Sequence, residues 1–208
     1  MNYSFIQNIT KEEIAKLPLG FFEGEIIVVD NNKAYNIAVN YLKKQKELGF
    51  DTETKPAFKK GQKNKVALLQ ISTLKKAFLF RINNLNNFQK LFSILGNSNI
   101  IKIGADIGQD MRVLQKIAPF TPQGFVDIQK YTGSFGILDN GLKKLAAIVL
   151  NIRISKSQQL TNWEAETLTE KQMIYAATDA WVCLKIYQTL NKNIIQNNTQ
   201  ITTNNDNK

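Results

Sequence analysis

The stretch Glu47–Thr73, ELGFDTETKPAFKKGQKNKVALLQIST, decides how this chain is read. Leu48-Gly49-Phe50 is apolar and runs straight into two acids, Asp51 and Glu53. In a strand, residues i and i+2 project to the same face. A strand over Leu48–Thr52 therefore sends both carboxylates to one side. Two like charges at the end of a buried strand are costly unless a cation lies between them. A divalent metal with oxygen ligands removes that cost. An Asp-x-Glu pair also arises by chance in solvated loops, so alone it leaves both readings open. Lys55, Lys59, Lys60, Lys63 and Lys65 follow, with Phe58 among them. Such a loop can hold a phosphate backbone and stack a base, or it can simply be solvated. The apolar Val66–Thr73 and Lys76–Ile82 then read as a hairpin turning near Lys75.

Working outward, Glu25–Val29 is a β-branched run expected as a strand. Asp30 and Asn31 form a turn and N-cap before a helix from Ala34 to Leu48 with apolar residues at helical spacing. Downstream, Leu85–Leu95 reads as a helix stopped by Gly96. Asn99–Ala105 reads as a strand, Ile107–Ala118 as a helix ended before Pro119, and Phe125–Tyr131 as a short extended piece. Asn140–Leu150 is an apolar-striped helix, and Thr169 caps a long helix that follows. Strands gather early and helices late, which predicts an α/β domain with a mixed sheet covered by helices. The domain is expected over residues 1–190. Residues 191–208, mostly Asn, Gln and Thr, lack core formers and are expected as a disordered tail.

The composition narrows the chemistry. The chain has 208 residues, a formal net charge of +10 and no histidine. The missing histidine excludes Ser-His-Asp and Cys-His catalysis and His-ligated zinc. The single cysteine, Cys183, has no internal disulfide partner and suits a reducing compartment. No signal peptide or membrane-spanning run stands out, so the expectation is a cytoplasmic protein without a membrane partner. The basic balance suits a polyanion such as nucleic acid, or a lysine-rich solvated surface.

Further acids lie downstream. Tyr175 and Asp179 are four apart in MIYAATDAWVCL and share one helix face. An Asp among apolar helix residues needs a partner or sits on a solvated edge. In NIIKIGADIGQDMRVLQKI, Asp106 is expected as an N-cap and Asp110 as a first-turn acid able to face a site. Met111, Leu114 and Trp163 read as packing residues, and Asp127 as a turn or hydrogen-bond acceptor. Lys143, Lys144, Arg153 and Lys156 form a second basic group.

Taken together, GFDTE with KVALLQIST, KIGADIGQDMRVL and YAATDAW resemble the three motifs of the DEDD superfamily of 3′→5′ exonucleases, in its tyrosine-bearing branch. The chain is similar to RNase D and to the Werner-syndrome-type exonuclease domain. The resemblance covers Glu25 to Leu190, including the Ser157 and Trp163 stretch. It implies an RNase H-like fold in which Asp51, Glu53, Asp110 and Asp179 hold two divalent ions, Mg2+ or Mn2+. It also implies that Tyr175 replaces the histidine of the sister branch and orients the attacking water. The implied activity removes nucleoside 5′-monophosphates from a 3′ end. DNA is favoured over RNA, because the chain has no room for the helical domains of RNase D. The competing expectation is a silent nuclease fold that only binds nucleic acid, and the complete set of acids weighs against it. A small-molecule phosphatase is disfavoured by the basic surface.

Overall fold

The computed structural model describes residues 5–56 and 65–205, with side chains placed through Ile194. Its elements are α1 (Lys11–Lys16), β1 (Glu25–Val29), α2 (Asn32–Leu42), β2 (Glu47–Thr54), β3 (Val66–Ser72), β4 (Lys76–Arg81), α3 (Gln89–Leu95), β5 (Ile101–Gly104), α4 (Gly108–Leu114), β6 (Phe125–Asp127), α5 (Ile128–Gly133), α6 (Leu142–Leu150) and α7 (Glu170–Asn205). Six strands form one sheet in the order β1-β4-β3-β2-β5-β6. The hairpin pairs β2–β3 and β3–β4 are antiparallel. The pairs β1–β4, β2–β5 and β5–β6 are parallel, so the sheet is mixed.

Helices cover both faces. Leu48, Phe50, Leu69, Ile71, Phe78 and Phe80 pack with α2, α3 and α4 on one side. Ala177, Val182, Leu184 and Ile186 of α7 pack with α5 and α6 on the other. Because helices lie on both sides, the central β3 is buried along its whole length. That explains why VALLQIS reads as a continuous run instead of an alternating one.

Local signals account for most ends. Asn31 caps α2 by accepting from the Ala34 amide at 3.0 Å. Thr169 and Gln172 form a reciprocal cap at the start of α7. The short α1, absent from the reading above, carries a capping box between Thr10 and Glu13.

Three expectations need correction. Asp106 is not an N-cap: α4 starts after Ile107 with no side-chain cap. Asp106 instead takes a left-handed φ of 52°, a conformation Asp tolerates. Its amide donates to Asp127 at 3.3 Å. Phe125–Tyr131 is only half extended, because Asp127 caps α5 through the Gln129 amide. The helix expected from Ala34 to Leu48 ends at Leu42, and Glu47 and Leu48 belong to β2. Among the described residues, no helix is long and apolar enough to cross a membrane.

Candidate active site

The site forms at the carboxyl end of β2, where α7 crosses the sheet. Gly49 sets that crossing. A Cβ on Gly49 would lie 1.9 Å from the Ala180 carbonyl oxygen, so only glycine admits the helix at this depth. The small, buried Ala176, Ala177 and Ala180 offer the matching helix surface. The alternation of β2 then places Asp51 and Glu53 on the face under α7. Further back on that face, Glu47 accepts from Gln188 of α7 at 2.7 Å.

The result is a cluster. Asp51, Glu53 and Asp179 each place one carboxylate oxygen within 4.8 Å of the others. Asp110 sits in the first turn of α4 and accepts from Thr52 Oγ1 at 2.5 Å. Its charge reaches both Asp51 and Glu53. The Tyr175 hydroxyl lies beside the Asp179 carboxyl, one turn along α7, and the two act on each other. All five residues singled out in the sequence therefore converge on one place. None of the ion pairs found among the described residues involves these acids.

The electrostatics reflect that crowding. Burial, followed by the charges of Asp179, Glu53 and Asp110, pushes Asp51 well above the ordinary carboxylate range. Burial and the charges of Asp179 and Asp110 push Glu53 up to about 8. Burial raises Asp179 to about 7, while the Tyr175 hydrogen bond and the Lys156 charge pull it down. Asp110 is raised by burial and held back by Thr52. Burial first, and then the neighbouring acids, keep the Tyr175 hydroxyl protonated far above the usual tyrosine range. Without a cation, burial and crowding favour the protonated forms of these groups. A divalent ion with oxygen ligands takes the place of those protons, so the donor set fits a metal.

Beside the acids lies a small cavity of about 140 Å³, lined by Lys143, Ser155, Lys156, Gln159, Tyr175 and Asp179. The second basic group thus divides. Lys143 and Lys156 reach the site, whereas Lys144 pairs with Asp139 at 2.5 Å and Arg153 Nε donates to the Leu17 carbonyl. Of the first group, Lys55 lies 3.4 Å from Glu164 and Lys65 is exposed. Lys59, Lys60, Lys63 and Phe58 lie outside the described residues.

Packing supports the tyrosine. Trp163 is fully buried, with its ring 6.0 Å from that of Tyr175. Buried Arg81 braces the same loop through the Ala165 and Glu166 carbonyls. Met111 and Leu114 join the core, as their apolar character predicts. Thr52 escaped notice because it alternates away from Asp51 and Glu53. The strand irregularity after Glu53 marks where regular pairing ends.

A family model described as 3′-5′ exonuclease matches residues 26–195. The chain belongs to the 3′-5′ exonuclease family. It is 34% identical over 152 residues to the mouse bifunctional 3′-5′ exonuclease/ATP-dependent helicase WRN, covering 69% of this chain and 11% of that one. It is 27% identical over 168 residues to Haemophilus influenzae ribonuclease D, covering 80% of this chain and 42% of that one. The chain thus spans less than half the length of these relatives. The Aedes aegypti Nibbler EXO domain superposes with a TM-score of 0.76 at 22% identity, covering 86% of this chain and 93% of that one. That likeness supports the RNase H-like fold. The exonuclease family is metal-dependent, and the carboxylate cluster matches that requirement.

Proposed function

We propose that this chain hydrolyses phosphodiester bonds from the 3′ end of a nucleic-acid strand and releases nucleoside 5′-monophosphates. The observation that carries the reading is the convergence of three ligand oxygens within 4.8 Å, with Asp110 and Tyr175 alongside, in a chain of the 3′-5′ exonuclease family. Asp51, Glu53, Asp110 and Asp179 would hold two divalent ions, Mg2+ or Mn2+. When bound, such ions neutralise charge on the scissile phosphate and acidify the attacking water.

The chain's own residues do the rest. Tyr175 remains protonated through neutral pH, so it orients the water by hydrogen bonding and does not serve as the base. Thr52 fixes the direction of the Asp110 carboxylate. Lys143 and Lys156 offer positive charge to the phosphate at the mouth of the site. Trp163 and Arg81 keep Tyr175 and its loop in place, which limits misalignment of the reacting atoms.

DNA is the substrate we favour. The identity to the exonuclease–helicase, 34%, exceeds that to the ribonuclease, 27%. The test is a time course on matched DNA and RNA strands labelled at the 5′ end, with chelator and then with magnesium or manganese. A one-nucleotide ladder on DNA that stops with chelator and resumes with metal is expected. Faster shortening of RNA would reverse the substrate assignment. Metal-independent shortening would sink the mechanism.

A further inference from the structure

Gln70 lies in the middle of β3 and is fully buried. Neither end of its side-chain amide has a hydrogen-bond partner. The strand register sets it directly opposite Asp51, and opposed residues of an antiparallel pair share a face. That face lies under α7, because the next opposed pair is Gly49 and Ser72. A Cβ on Gly49 would meet both the Ala180 carbonyl and Ser72 Oγ. Ser72 Oγ is likewise buried and unpartnered.

A buried, unpaired amide is costly. Nothing in the packing around Gln70 calls for one: Leu68, two residues before it, and Leu79, opposite it on β4, are both apolar and buried. The acids of the site explain it better. Asp110 has a side-chain donor in Thr52, and Asp179 has the Tyr175 hydroxyl beside it. Asp51 has no side-chain donor among the described residues, and the Thr52 backbone alone draws its carboxyl down. Its neighbours Glu53 and Asp179 become pure acceptors when ionised and can give it nothing. Opposed Cβ atoms lie about 5 Å apart, within the reach of a glutamine.

We propose that Gln70 is a positioning residue: its amide N–H, unpartnered as the chain stands, is the donor available to the Asp51 carboxylate from the sheet side once Asp51 ligates a divalent ion, and it sets the direction in which that ligand oxygen faces the ion. This rests on the metal-site reading above. Outer hydrogen bonds of this kind commonly orient metal-ligating carboxylates.

The test is Mn2+ binding by isothermal titration calorimetry, together with thermal melting in chelator. Gln70→Met keeps length and volume and removes the unpaired amide. Its metal-free melting temperature should match or exceed the wild type, while Mn2+ affinity falls about 10–100-fold. Gln70→Leu removes the amide with a second apolar shape, and should lose the same affinity. If Gln70→Met fails to fold, Gln70→Leu decides. Ser72→Ala should keep wild-type affinity. Wild-type Mn2+ affinity in the Gln70 variants would overturn the inference, as would a comparable loss in Ser72→Ala. If the wild type itself takes up no Mn2+, the metal-site reading falls, and this inference with it.

Discussion

Replacing Glu53 with glutamine should make the metal-free protein more stable. Burial and two neighbouring acids raise the Glu53 carboxyl from 4.5 to about 8 in the fold. The sign follows from linkage. A raised folded value contributes stability below the unfolded pKa, and that contribution is lost as pH climbs toward the folded value. For Glu53 the loss runs from about pH 4.5 to about pH 8. At pH 7.5 it corresponds to three pH units at about 1.4 kcal/mol each, an upper bound of about 4 kcal/mol. Relaxation and water penetration reduce this to roughly 1–3 kcal/mol. Glutamine keeps the shape and removes the titration. In chelator at pH 7.5, Glu53→Gln should melt about 3–10 °C above the wild type, and the gap should close toward pH 4.5. With saturating magnesium the order should reverse, since only the wild type keeps its full ligand set. Differential scanning calorimetry across pH, with and without metal, measures both. A variant that melts at or below the wild type in chelator at pH 7.5 would refute the crowded-carboxylate account.

Other outcomes follow from the same geometry. Tyr175→Phe should lower kcat about 100-fold or more while KM and melting temperature barely change, because the ring packing against Trp163 survives; stopped-flow turnover with a fluorescent strand reads both constants. Gly49→Ala should cost more than about 2 kcal/mol and lower activity with it, since the added carbon would meet the Ala180 carbonyl and push α7 and Asp179 away; an unchanged melting curve would contradict the close crossing. Lys156→Ala should raise KM several-fold and weaken its dependence on salt concentration, which a salt series on one strand length would detect.

Much of this site was legible in the sequence because its signals are short-range. The i, i+2 spacing of Asp51 and Glu53 and the i, i+4 spacing of Tyr175 and Asp179 each define a face before any fold is known. The hairpin after the lysine-rich loop was legible for the same reason. What escaped depends on contacts between distant segments. Thr52 points away from its neighbouring acids along the strand, and only the placement of α4 brings Asp110 to it. Gln70 looked like one polar residue in an apolar run, and only strand register sets it against Asp51. Lys143 and Lys156 resembled their basic neighbours Lys144 and Arg153 until the fold gave those two structural partners.

If these acids and Tyr175 remove nucleotides from a free 3′ end, closing the strand must protect it. The deciding experiment follows product release, with magnesium, from a uniformly labelled strand offered in linear form with a free 3′ end and in covalently closed circular form. Nucleoside 5′-monophosphates are expected from the linear strand alone, and none from Asp179→Asn on either strand. Cleavage of the circle, or wild-type release by Asp179→Asn, would contradict the exonuclease assignment.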